Sequence, residues 1–139
     1  MVKKLIILDT NFLLIPGQFG VDIFEEIDKL MSGQTGVSAG PYELCIVDST
    51  MDELDKIIRA ETSSGADKRA ATLGKQLLEA KNVRHLKTEK HLNTDKLIVE
   101  LAKQGDYIVA TQDMALKRIL KENGVQLIVL RQKKYLKLI

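Results

Sequence analysis

The chain has 139 residues, 45% apolar and 29% charged, with one Cys, no Trp and a net charge of +2. That size and apolar share suit a single α/β domain spanning 1–139 and exclude disorder, low complexity and a cysteine-built zinc cluster. No apolar run approaches the roughly 20 residues of a membrane span, and lone Cys45 points by default to the cytoplasm.

Lys3 to Leu8 reads as a buried strand, and Asp9 ends its apolar run too early for a signal peptide. Val21 to Met31 carries a helical stripe of Ile23, Phe24, Ile27, Leu30 and Met31. Ser32 to Pro41, with three glycines, is a loop. Glu43 to Val47 is a second strand, and Ser49 to Ala60 a helix with Met51, Leu54, Ile57 and Ile58 on one side. After a polar connection comes a helix from Ala66 to Ala80, with Ala70, Leu73, Leu77 and Leu78 spaced for one buried face. Val83 to Leu86 is a short strand, Thr94 to Lys103 a helix stopped by Gly105, and Tyr107 to Ala110 a strand. Gln112 to Glu122 is a helix closed by Asn123-Gly124, and Gln126 to Leu130 is the last strand.

Strands that alternate with helices predict a mainly parallel central sheet with helices on both faces. Ligands of such sheets bind at the carboxyl ends of the strands. Asp9 follows the first strand directly, Glu53 lies in the helix after the second, and Asp113 follows the Tyr107 strand by three residues. Asp95 opens a helix beside its buried stripe, a poor place for an acid without a partner. Each has a competing local reading. Asp9 suits a turn, Asp95 and Asp113 suit helix starts, and Thr50 with Glu53 fits a capping box. Four carboxylates at one rim repel one another unless a cation joins them, which makes a divalent metal the natural ligand and phosphodiester hydrolysis the natural chemistry.

Asn11 and Thr111 stand ready to orient a carboxylate or a water, although Asn11 could equally fix the loop backbone and Thr111 also suits a helix N-cap. The net charge hides an asymmetry: Met114 to Ile139 holds seven Lys or Arg against Glu122, leaving 14 basic and 18 acidic residues elsewhere. Lys117, Arg118, Lys121, Arg131, Lys133 and Lys134 are therefore candidates for contact with an anionic backbone. The competing reading is a solvated helix face and a soluble tail. His91, with Lys87 and Lys90, is a weaker phosphate candidate. No P-loop, dinucleotide fingerprint or nucleophile elbow is present, and His85 and His91 lack zinc spacing.

The motifs Leu8-Asp9-Thr10-Asn11, Asp52-Glu53-Leu54, Thr94-Asp95-Lys96-Leu97-Ile98 and Ala110-Thr111-Gln112-Asp113, in this order, resemble the PIN-domain family of metal-dependent ribonucleases over essentially the whole chain. The resemblance implies a parallel sheet flanked by helices and a Mg²⁺ or Mn²⁺ site built from Asp9, Glu53, Asp95 and Asp113. It also implies RNA as substrate and, in many members, a homodimer. The stretches 110–118 and 124–132 look like the branch that processes small-subunit ribosomal RNA, especially its compact archaeal relatives. The toxin branch of toxin–antitoxin pairs is similar in size. Ribosome-assembly factors or an antitoxin are thus the partners implied. A non-catalytic RNA-binding module of the same fold is the competing class.

Overall fold

The computed structural model describes residues 3–33, 40–88 and 93–139. His91, Lys90 and most of the expected 32–41 loop lie outside the described residues. In chain order the elements are β1 (Lys4–Leu8), a 3-10 turn (Thr10–Leu14), α1 (Ile15–Phe19), α2 (Ile23–Met31), β2 (Tyr42–Val47), α3 (Asp48–Arg59) and α4 (Gly65–Ala80). Then follow β3 (Arg84–Leu86), α5 (Thr94–Gln104), β4 (Tyr107–Ala110), α6 (Met114–Glu122), β5 (Gln126–Arg131) and β6 (Tyr135–Leu138).

The strands form one sheet in the order β3-β2-β1-β4-β5-β6. The first five are parallel, and β6 returns antiparallel to β5. β1 is central, with Ile7 opposite Cys45 on one side and Val109 on the other. Its residues Ile6, Ile7 and Leu8 are fully buried, as a strand covered on both faces requires. Alternation along the strands splits the core in two. Ile6, Leu8, Ile46 and Ile108 pack with Phe12, Ile23, Ile27, Leu54 and Leu78, so α1 to α4 cover one face. Ile7, Cys45, Val109 and Leu127 pack with Ile98, Leu116 and Leu120, so α5 and α6 cover the other. The expected three-layer α/β/α architecture is present.

Several local expectations are corrected. Leu130 does not end the last strand. The chain turns through Gln132 and Lys133, both at positive φ (53° and 56°), and Tyr135–Leu138 pairs back along β5. Positive φ at both central residues is what a tight hairpin needs to match strand twist. The supposed tail is therefore an edge strand that buries Leu136. Helix α1 was unforeseen, because Pro16 and Gly17 look like breakers. Proline is nevertheless tolerated in a first helical turn, and it sits there.

The capping box at Thr50 and Glu53 does not form. α3 starts three residues earlier than that cap requires, at Asp48, whose carboxylate accepts from the Ser49 backbone N–H (3.1 Å). Thr50 is thus inside the first turn, its hydroxyl buried without a hydrogen-bond partner among the described residues. Likewise Asp113, not Thr111, caps α6 by accepting from the Leu116 N–H (3.0 Å). In α4 the buried face runs through Ala70, Ala71, Gly74 and Leu78, leaving Leu73 37% exposed. The reason is close packing on the 3-10 turn: a methyl on Gly74 would lie 2.6 Å from the Leu13 carbonyl oxygen.

Candidate active site

After β1 the chain proceeds outward to β2 and β3, then crosses back to place β4 on the other side of β1. The carboxyl ends of β1 and β4 therefore flank the switch point, where open α/β sheets keep their crevice. Asp9 and Asp113 stand on its two sides. The Asp9 N–H extends the ladder one residue past β1, donating to the Ala110 carbonyl at 2.9 Å. The Asp9 carboxylate also caps the 3-10 turn by accepting from the Thr10 N–H at 2.9 Å.

A hydrogen-bonded seam joins the two loops. The Thr111 hydroxyl is fully buried and donates to Asp9 Oδ2 at 2.7 Å. The Thr111 hydroxyl oxygen in turn accepts from the Asp113 N–H at 3.0 Å. Asn11 Oδ1 accepts from the Gln112 N–H at 3.1 Å, and Gln112 Nε2 returns a bond to the Asn11 carbonyl at 3.1 Å. Thr111 thus orients a carboxylate, as its position allowed, and Asn11 fixes backbone. Gln112 was not foreseen, because nothing in its sequence context marks it.

Glu53 reaches the same rim from α3. Its Oε1 accepts from the Thr10 hydroxyl at 3.0 Å and from the Thr94 hydroxyl. Ser49 Oγ lies 2.7 Å from Thr94 Oγ1. Asp95 follows Thr94 in the first turn of α5, whose N-cap is Asn93. Among the described residues, the buried polar or charged ones are Asp9, Thr10, Thr50, Thr94 and Thr111, all in loops or first helical turns at this rim.

The electrostatics show that the four acids share one neighbourhood. Burial is the main cause that pushes Asp9 up to about 6; bonds from Thr111 and Thr10 oppose it, while the charges of Asp95 and Glu53 add to it. Asp95 is also raised, by desolvation first and then by Asp113 and Glu53. None of the four makes an ion pair among the described residues, whereas Asp55 is paired with Lys75 at 2.7 Å. Asp48 is drawn instead into bonds from Thr88, chiefly its hydroxyl at 2.5 Å, and its pKa is lowered. Among the described residues no three acidic, imidazole or thiol side chains already converge on one point. The four carboxylates do offer the oxygen donors that hard divalent cations take.

The basic candidates divide. Lys117 feels the charges of both Arg131 and Asp113; desolvation lowers its pKa, with Arg131 adding to that and Asp113 opposing it. Lys133 and Lys134 lie at the β5–β6 turn, with the Lys133 ammonium 5.7 Å from the centre of the Phe19 ring. Because β5 runs parallel to β1, Arg131 and this turn stand at the same edge as the carboxylates. Arg118 is exposed on α6. Lys121 is also exposed but lies about 12 Å further along α6 from Asp113, at 1.5 Å per residue.

A family model described as a PIN-like domain matches residues 6–133. Over 131 residues the chain is 30% identical to ribonuclease VapC4 of Methanocaldococcus jannaschii, covering 94% of this chain and 92% of that protein. Among solved structures, the PIN domain endonuclease Utp24 superposes with a TM-score of 0.73 at 25% identity, over 96% of this chain and 90% of that one. With that fold and those relatives, the chain belongs to the PIN-like domain family of nucleases.

Proposed function

We propose that the chain is a Mg²⁺- or Mn²⁺-dependent endoribonuclease of the cytoplasm that hydrolyses phosphodiester bonds of RNA, with ribosomal RNA maturation as its role. One observation carries the reading. Of the four carboxylates at the switch point, Asp9 and Asp95 are raised, by burial first and then by the charges of their acidic neighbours, and none of the four has an ion-pair partner among the described residues. Uncompensated charge of this kind is a stability cost that a bound cation removes. Structural acids on the same chain are satisfied locally, as Asp48 and Asp55 are.

Asp9, Glu53, Asp95 and Asp113 would hold the ion. When bound, it would acidify a water and neutralise charge on the phosphate. Asp9 is placed by the sheet and by Thr111, so its carboxylate needs little reorganisation. Glu53, Asp95 and Asp113 are less buried; Thr10 and Thr94 hold Glu53, and the Leu116 N–H holds Asp113. Asn11 holds the β4–α6 loop against the β1 loop and so keeps Asp113 beside Asp9. Lys117 and Arg131 neutralise the RNA backbone next to Asp113, and Arg118, Lys133 and Lys134 extend that contact. Lys121, far along α6, serves a longer strand only. A second copy of the chain, an antitoxin or a ribosome-assembly factor is the partner to seek.

The test is cleavage of single-stranded and precursor ribosomal RNA with Mn²⁺, by wild type and by Asp9→Asn. Cleavage by wild type alone supports the reading. If both bind RNA and neither cuts any substrate, the chain is a binding module. Growth arrest on expression without precursor cleavage assigns it to a toxin role.

A further inference from the structure

The carboxylate of Glu53 is held unevenly. Two hydroxyls, from Thr10 and Thr94, bond the same oxygen, Oε1, and Oε2 accepts nothing from the described residues. Proton counting fixes the direction of the chain behind it. A threonine hydroxyl carries one hydrogen, and Glu53 as a carboxylate only accepts. Thr94 therefore spends its hydrogen on Glu53, so across the 2.7 Å contact Ser49 is the donor and Thr94 Oγ1 the acceptor. The path reads Ser49 to Thr94 to Glu53, with Thr10 bonding the same oxygen of Glu53. It joins α3, α5 and the turn after β1. Thr94 is 4% and Thr10 7% exposed, so water competes little for either hydroxyl.

We propose that Thr94, polarised by Ser49 and aided by Thr10, is a positioning residue that fixes Oε1 of Glu53 and leaves Oε2 as the oxygen presented to a divalent cation. Thr94 also immediately precedes Asp95. One side chain thereby sets the spacing between two acids that come from different helices. Because it acts through Glu53, it belongs to the shell of hydrogen-bond partners that orients a ligand, where substitution typically costs about 10- to 100-fold in metal affinity. The inference rests on the metal-dependent reading above.

The experiment measures Mn²⁺ binding to metal-free protein by electron paramagnetic resonance, with unfolding temperature and RNA affinity in EDTA as controls. Thr94→Val keeps the shape and deletes the hydroxyl; about 10-fold weaker Mn²⁺ binding is expected, with RNA affinity in EDTA unchanged. Thr94→Ser should return to within about twofold of wild type, and Ser49→Ala should fall between the two. If Thr94→Val folds and binds Mn²⁺ as wild type does, the inference is overturned and the nuclease reading stands. If Thr94→Ser is as weak as Thr94→Val, the methyl group matters rather than the hydroxyl, and the inference also fails. Should Thr94→Val not fold, Thr94→Ser and Ser49→Ala decide: wild-type affinity in Ser49→Ala, or loss in Thr94→Ser, overturns it. Wild type that binds no Mn²⁺ removes the metal reading and this inference together.

Discussion

Replacing Asp9 with Asn should stabilise the metal-free protein, although it removes the residue at the centre of the site. Asp9 ionises near 3.8 in the unfolded chain and near 6 in the folded one. The sign follows from linkage. Below 3.8 both states are protonated and burial of the group costs nothing. As pH rises from 3.8 to 6 the unfolded chain gains charge first, so stability falls, and above 6 the full penalty is in place. A shift of about 2 units corresponds to ~3 kcal/mol at ~1.4 kcal/mol per unit. Asn cannot ionise, yet it can still accept the Thr10 N–H on its one oxygen. Its amide nitrogen then meets the Thr111 hydroxyl, whose proton must turn to Asn11 Oδ1, now at 3.4 Å. A weakened hydrogen bond of that kind costs about 1 kcal/mol. The net gain is ~2 kcal/mol at pH 8, or about 6 °C in Tm for a chain of this size. Thermal melts of both proteins in EDTA from pH 4 to 8 would read it. The Tm difference should be small or slightly against the variant near pH 4, where the hydrogen-bond cost dominates, and then grow in its favour up to about pH 6. A difference independent of pH, or a less stable variant at pH 8, would refute the reasoning. Adding Mn²⁺ should reverse the order by stabilising wild type alone.

Thr111→Val removes the donor to Asp9 and the acceptor for the Asp113 N–H, at about 2–3 kcal/mol, and should push Asp9 still higher in a carboxyl NMR titration. Thr111→Ser should recover most of both. Gly74→Ala forces a methyl to within 2.6 Å of the Leu13 carbonyl, so α4 must shift on the 3-10 turn; denaturant melts should show a loss of about 1–3 kcal/mol. Lys117→Ala with Arg131→Ala should weaken RNA binding in EDTA for all sequences alike. The same pair should reduce the slope of log affinity against log salt by about 1.4, as expected for two lost phosphate contacts on a single strand.

The carboxyl-edge acids were legible because apolar runs stop abruptly at them. Ile6-Ile7-Leu8 ends at Asp9, and Ile108-Val109-Ala110 ends just before Thr111 and Asp113. The same runs gave the sheet and its two covered faces. Tyr135–Leu138 escaped because four residues with two apolar side chains on one face are a weak signal beside so many lysines. Yet Tyr-Leu-Lys-Leu does alternate, and that period of two was available to find it. The hydroxyls of Thr10, Ser49 and Thr94 escaped for another reason. A threonine near a helix start has many local uses, and only the meeting of the first turns of α3 and α5 with the turn after β1, at the carboxyl edge of the sheet, brings these three into one path to Glu53. Local reasoning favoured a cap for Glu53, and the earlier start of α3 removed it.

The seam between the β1 and β4 loops joins residues 102 positions apart in the chain. Loop closure over such a span is among the slower events of folding, since nothing rewards it until β4 docks beside β1. A chain being synthesised therefore carries Asp9, Glu53 and Asp95 long before it can hold them together. The structural lock comes with Thr111 and Asp113, about a hundred residues after Asp9. A protein of this design cannot assemble its carboxylate rim until the chain has been made through β4 and the loop that follows it.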